Sequence, residues 1–135
     1  MKKLFTLALT LILFANLSLT AFAATATPPI EPLWDNTQSI TSWFSFNGSS
    51  SKAIAEIVGK EDTSRIEATI KVYILVNNDW VYLGESSASA NSRILSVSVG
   101  FSAESGKNYK SIVVVHVTNN AGVTESLQRA KIGLN

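Results

Sequence analysis

Apolar residues alternate with polar ones along short runs of this chain, and that period-two pattern constrains the fold more than any other feature. In the clearest run, one face carries Ile66, Ala68, Ile70, Val72, Ile74 and Val76. Residues with this spacing share one face of a β-strand. Beyond Ala23 no segment shows the helical periodicity of an amphipathic helix. The chain is therefore predicted to be all-β.

Seven such runs follow one another, separated by turn-forming residues. The predicted strands are 40–46, 52–60, 66–76, a run that starts at Trp80, 92–102, 109–118 and 123–132. Short strands that repeat at regular intervals, with turn residues between them, are typical of antiparallel sandwiches. The pattern predicts an immunoglobulin-like β-sandwich of about seven strands, with 66–76 in the middle of a sheet.

The hairpin after the third run leaves the orientation of two aromatic residues open. A two-residue loop at Asn78-Asp79 would set Val76 opposite Val81 and turn Trp80 and Tyr82 away from the core. A three-residue loop would turn the same rings into the core, because a slip of one residue exchanges the two faces of a strand. Both arrangements remain open at the level of sequence.

The segment from Met1 to Ala23 has the features of a secretory signal peptide. Lys2 and Lys3 precede an apolar core at 4–15, and Ala21-Phe22-Ala23 supplies the small-x-small pattern of a cleavage site. The apolar run falls short of the roughly 20 residues that a membrane span needs. We therefore expect cleavage after Ala23, a secreted product, and no membrane association once the segment is removed.

Cleavage would leave a nearly neutral chain that runs from Ala24 to Asn135. Removing Lys2 and Lys3 from the eleven basic residues leaves nine against ten acidic ones, which is too little positive charge for a nucleic-acid partner. Residues 24–37, with three prolines, are predicted to be an extended lead-in, and 38–135 the sandwich domain. With no Cys and one His, neither zinc nor thiol chemistry is expected, and no cofactor is predicted.

The segment Ser105 to Val115 resembles the entry to the penultimate strand of immunoglobulin-like and fibronectin-type sandwiches. That motif contains a tyrosine whose ring packs on the core and whose hydroxyl bonds to nearby backbone, and the resemblance implies this role for Tyr109. Through Pro32-Leu33-Trp34, 77–81 and 106–109, the chain is also similar to small secreted proteins of Gram-positive, clostridial-type bacteria that share a domain of unknown function. The resemblance to this family implies a secreted β-sandwich and does not imply an activity.

Two hydrolase-like patterns occur without the partners that catalysis requires. Ser49-Ser50-Ser51-Lys52 matches the Ser-x-x-Lys spacing of acylating enzymes but lies in a polar turn. His116 is the only imidazole, and no Gly-x-Ser-x-Gly elbow accompanies it. A four-residue loop at 119–122 would instead place His116 opposite Glu125 as a cross-strand pair. The protein is therefore predicted not to be an enzyme.

Large aromatic residues are the candidate ligand contacts, because amphipathic rings bind partners with little loss of entropy. The candidates are Trp34, Trp43, Tyr73, Trp80 and Tyr82. The alternative for each ring is packing in the core. The leading hypothesis is a non-enzymatic binding or cell-surface interaction module whose partner is an extracellular protein or a cell-wall glycan.

Two further hypotheses belong to other functional classes. Ile112 to Val117 is apolar on both faces, and an exposed edge strand of this kind would make the protein a self-associating structural component of the surface. A small secreted hydrolase would depend on His116 or Lys52. The identity of the ligand, the order of the strands and the oligomeric state are left open by the sequence.

Overall fold

A computed structural model describes residues 33–135, which form two antiparallel β-sheets. The strands are β1 (Thr37–Ser45), β2 (Ser51–Gly59), β3 (Thr63–Val76), β4 (Asp79–Ala90), β5 (Ile94–Phe101), β6 (Asn108–Asn119) and β7 (Thr124–Leu134). One short 3-10 helix, Gly48–Ser50, lies between β1 and β2. The signal peptide, its cleavage site and residues 24–32 of the lead-in lie outside the described residues. Within 33–135 there is no helix long and apolar enough to cross a membrane.

The strand order is that of an immunoglobulin-like sandwich in which β4 belongs to the larger, four-stranded sheet. One sheet has the order β1-β2-β5 and the other β4-β3-β6-β7. In constant-type immunoglobulin domains the fourth strand joins the sheet of the first, second and fifth strands, whereas here it pairs with β3. The four-stranded sheet consequently has a broad side turned away from the core, called the outer face below.

The core lies between the sheets and is built from the alternate apolar residues of both. β2 and β5 contribute Ala53, Ala55, Ile57, Leu95, Val97, Val99 and Phe101, and β3 and β6 contribute Ile66, Ala68, Ile70, Val72, Ile74, Tyr109, Val113, Val115 and Val117. The predicted inward faces of β2, β3, β5 and β6 are confirmed, except that Val76 at the end of β3 is 39% exposed. The central position predicted for 66–76 is also confirmed, since β3 lies between β4 and β6.

Tyr109 has the role that its resemblance to the tyrosine motif implied. Its side chain is fully buried, and its ring centroid lies 5.0 Å from that of Phe101 and 5.6 Å from that of Phe46. Its hydroxyl accepts a hydrogen bond of 2.7 Å from the backbone amide of Glu104. The tyrosine therefore fixes the turn before β6 to the core.

The hairpin between β3 and β4 turns at Asn77-Asn78, one residue earlier than predicted. Both asparagines have positive φ, 51° and 67°, as a two-residue type I′ turn requires. Val76 pairs with Asp79, so the predicted pairing of Val76 with Val81 is wrong by two residues. A shift of two residues preserves the faces, and Trp80 and Tyr82 still point away from the core.

The connection between β6 and β7 spans 120–123, one residue later than predicted, and the strand pairing shifts by one residue with it. Asn119 holds the loop, because its side-chain oxygen accepts hydrogen bonds from the amides of Ala121 and Val123. His116 therefore pairs with Ser126, and its predicted pairing with Glu125 is wrong. Glu125 lies opposite Val117 instead.

The segment proposed as an exposed edge is a central strand. β6 contains Ile112 to Val117 and lies between β3 and β7, so its backbone pairs on both sides. The edges of the two sheets are β1, β5, β4 and β7. The backbone of 112–117 is therefore not an exposed edge and has no free side for strand pairing with another molecule.

Candidate functional site

The five candidate aromatic residues lie in three separate places. Tyr73, Trp80 and Tyr82 lie together on the outer face, at the end of the β3–β4 hairpin. Trp43 pairs with Ile54 and faces away from the core on the three-stranded sheet. Trp34 precedes β1, and the Arg129 guanidinium lies 4.9 Å from its ring. Only the first group brings several rings to one surface.

A lysine completes that group, which we call the aromatic cluster: Tyr73, Trp80, Tyr82 and Lys110. The rings of Tyr73 and Tyr82 meet edge to face, with centroids 5.8 Å apart. The half-buried Lys110 places its Nζ atom 4.5 Å from the Trp80 ring centroid and 5.3 Å from that of Tyr73. Both distances are those of cation–π contacts, so the ammonium is held at the ring surface.

Strand register explains how the aromatic cluster forms. Tyr82, Tyr73, Lys110 and Ile132 are direct neighbours across β4, β3, β6 and β7. Ile132 is 60% exposed and continues the apolar surface beyond the lysine. The position of Lys110 depends on β6 lying beside β3, and the sequence alone did not establish that neighbourhood.

A shallow, open groove of about 680 Å³ lies further along the outer face. It is lined by Glu67, Thr69, Lys71, Ser87, Ser89, Val114 and His116, together with Ala68 and Ala88. Thr69 and Ser87 exchange a hydrogen bond of 2.7 Å, and His116 Nδ1 lies 2.8 Å from Ser126 Oγ. Hydroxyl groups and other hydrogen-bonding side chains therefore line this part of the face together with apolar surface from Val114 and the two alanines.

The groove and the aromatic cluster form one continuous track along β3. Tyr73 and Glu67 project from the same side of that strand, and their separation in the chain corresponds to about 20 Å of extended backbone. The groove was not predicted from the sequence, because its walls come from β3, β4 and β6 together. The alternation of Ser87 and Ser89 in β4, with Ser87 opposite Thr69 of β3, is its only local signal.

Most charges on the outer face are paired. Arg65 contacts Glu67 at 2.8 Å and Lys71 contacts Glu85 at 3.6 Å, whereas Lys110 makes no ion pair with any residue of 33–135. Partial desolvation, followed by the Glu85 carboxylate, raises the pKa of the Tyr82 hydroxyl above its ordinary value. Tyr82 therefore stays protonated at neutral pH and keeps a hydrogen-bond donor on the surface.

The hydrolase-like patterns have structural explanations. Ser49, the serine of the Ser-x-x-Lys pattern, lies exposed in the 3-10 helix Gly48–Ser50. Ser51 is buried at the start of β2, where its hydroxyl donates to the Gly48 carbonyl and accepts from the Asn47 amide. Lys52 is exposed on the next position of the strand. His116 lies on the open sheet surface beside Ser126. Among residues 33–135, no three His, Asp or Glu side chains come together in a way that could hold a metal ion.

The sequence matches no protein-family model and no curated protein sequence. The interpretation of the site therefore rests on its geometry and chemistry.

Proposed function

We propose that this protein is an exported, non-enzymatic binding module that holds a cell-wall glycan along its outer face. The observation that carries the proposal is the alignment of the aromatic cluster and the hydroxyl-lined groove on a single face of one sheet. Export is supported by the sequence pattern of residues 1–23.

The two parts of the track match the two kinds of surface on a sugar. A sugar ring has apolar C–H faces, which pack on aromatic rings, and a rim of hydroxyls, which need donors and acceptors. Tyr82 is 51% exposed and offers ring surface, while Thr69, Ser87 and Ser89 offer hydroxyls. The length of about 20 Å suits a chain of several sugar units rather than a single small molecule.

The groove is open to solvent, and this distinguishes it from a typical active site. Catalytic groups act in sites that exclude water and converge on one reacting atom. The groove is shallow, and His116 and Ser126 lie exposed on the sheet. A face of this shape supports retention of a polymer better than its cleavage.

Co-sedimentation with purified Gram-positive cell walls and insoluble polysaccharides tests the proposal. Wild-type protein should bind saturably, and Trp80→Ala should lose that retention while its thermal unfolding stays cooperative. Trp43→Ala is the matched control, because it removes a partly exposed tryptophan from the other sheet, and it should bind like wild type.

Three outcomes would contradict the proposal. Equal losses in the two tryptophan variants would mean that the outer face is not the binding surface. Unchanged binding by Trp80→Ala would exclude the aromatic cluster. Failure of the wild-type protein to bind any wall or polysaccharide, with capture of a defined extracellular protein instead, would replace the glycan by a protein partner.

One observation favours self-association as a second candidate. Ser86 to Ala90 at the end of β4 carries only small uncharged side chains on a sheet edge, and edges without charge or proline can pair between molecules. Light scattering over a wide concentration range tests it, since Ala88→Pro should reduce any association that uses this edge. A monomer at every concentration would exclude it.

A further inference from the structure

Lys110 is the one charged side chain of the outer face without an ionic partner in the described chain. The register places five charged residues on this face: Arg65, Glu67, Lys71, Glu85 and Lys110. The first four form two ion pairs. The net positive charge of the face is therefore located at Lys110, inside the aromatic cluster.

The surroundings of Lys110 fix the position of that charge without neutralising it. Contact with the rings of Trp80 and Tyr73 attracts the ammonium through their quadrupoles, but a ring carries no counter-charge. The ammonium keeps three N–H donors, and the half-buried side chain, already placed against the rings, loses less entropy when a ligand binds. A preorganised cation beside exposed ring surface is suited to an anion attached to a sugar.

We propose that the ligand of the outer face is an anionic glycan, whose carboxylate or phosphate group binds the Lys110 ammonium while neighbouring sugar rings pack on Tyr82. This inference rests on the proposed function and specifies the chemical class of its ligand. Charge-assisted hydrogen bonds are about twice as strong as neutral ones, so the charged group contributes much of the affinity. Neutral polysaccharides bind the same track more weakly.

A matched pair of polymers isolates the charge. Polygalacturonate and its highly methyl-esterified form share one backbone and differ in the carboxylate, and titration of each is followed by tryptophan emission. Wild-type protein should bind the acid form about tenfold more tightly than the ester, as expected for one charged hydrogen bond. Added salt should reduce that difference.

Substitutions at Lys110 assign the effect to this side chain. Lys110→Gln should bind acid and ester equally, whereas Lys110→Arg should restore much of the preference because it keeps the charge. Lys52→Gln is the control: it changes the net charge by the same amount at an exposed position of β2 and should behave like wild type. Urea unfolding of each variant confirms that the fold is retained.

Cell walls distinguish carboxylate from phosphate as the natural source of the anion. Walls are compared before and after removal of their phosphodiester-linked polymers. Loss of sedimentation after removal identifies phosphate as the recognised group. Unchanged sedimentation, together with tight polygalacturonate binding, identifies a sugar carboxylate, and both results support an anionic ligand.

Two results would overturn the inference, and they differ in what they mean for the proposed function. Equal binding of acid and ester by wild type and by Lys110→Gln would exclude the anion while leaving a glycan-binding face in place. Absence of binding to both polymers and to both wall preparations would remove the glycan itself, and with it the proposed function.

Discussion

Glu125 shows how one side chain fixes the start of the domain. Its carboxylate accepts hydrogen bonds from the amides of Asp35 and Asn36, at 2.7 and 3.0 Å, and from the Thr37 hydroxyl at 2.7 Å. Burial alone would raise the pKa of Glu125, but the bonds from Thr37 and the backbone amides outweigh that effect and hold the pKa below its ordinary value. The ionised carboxylate therefore stabilises the folded state.

The stability of the domain should fall in acid partly because of Glu125. A carboxyl group whose pKa is lowered on folding contributes stability that is fully present above its unfolded value, about 4.5, and is lost as the pH falls through the folded value. Urea unfolding between pH 7 and pH 3 should show this decrease. Glu125→Gln should be less stable at pH 7 and depend less on pH over the same range.

Glu56→Gln is the control for this experiment, because Glu56 is an exposed carboxylate in the middle of β2. It should unfold with the pH dependence of wild type. Identical pH profiles for Glu125→Gln and wild type would mean that the hydrogen bonds from 35–37 do not favour the ionised form.

Sequence reasoning succeeded at Tyr109 and failed at Glu125 for a physical reason. The tyrosine motif is local, since Tyr109 bonds to Glu104 only five residues upstream. The partners of Glu125 lie some 90 residues away, and the residue that faces Glu125 depends on where the preceding loop begins. A shift of one residue in the β6–β7 register moved Glu125 from His116 to Val117.

The strands were predictable as elements because each one is half buried. β2, β5 and β6 alternate between buried and more exposed residues over nearly their whole length. The sequence shows this alternation directly, because successive side chains of a strand point to opposite faces. The pairing of the strands was harder to predict from the sequence. Both mispaired hairpins arose at turns rich in asparagine, where neighbouring positions suit the turn about equally well.

The β3–β4 turn offers a test of its own geometry. Asn78 has φ of 67°, a left-handed conformation that asparagine and glycine adopt at low cost but a β-branched residue does not. Asn78→Val should lower the free energy of unfolding by about 1 kcal/mol, and Asn78→Gly should leave it unchanged or raise it. Both are measured by urea denaturation.

Asn120→Val provides the comparison for this pair, because Asn120 lies in the exposed β6–β7 loop and its φ is not positive. It should cost less than Asn78→Val. A valine that is tolerated equally at both positions would rule out strain at the hairpin turn.

At the scale of the molecule, the candidate site results from the order of the strands. Tyr73, Trp80 and Tyr82 belong to one hairpin, and the sequence already brought them together on one face in the two-residue-loop arrangement. Lys110 and the groove lie on the same face as these three rings only because β6 is the neighbour of β3 in the sheet. That neighbourhood depends on contacts distant in the chain, which no local pattern of residues encodes.

The two sheets share one core, and this should make the domain unfold as a unit. Val115 of β6 is fully buried in the single cluster that both sheets contribute to. Trp43 and Trp80 report on different sheets, so each can serve as a separate probe once the other two tryptophans are replaced by phenylalanine. In each such variant the urea midpoint from tryptophan emission should equal the midpoint from far-ultraviolet circular dichroism.

Val115→Ala tests whether a substitution in one sheet also destabilises the other. Its loss of two buried methyl groups should cost about 2 kcal/mol, and although Val115 lies in the four-stranded sheet, emission from Trp43 in the three-stranded sheet should report the same decrease. Val123→Ala, at a position 58% exposed, should leave both probes unchanged. If the urea midpoint reported by Trp80 fell while the midpoint reported by Trp43 stayed unchanged, the two sheets would unfold independently. The shared core would then be too weak to couple them.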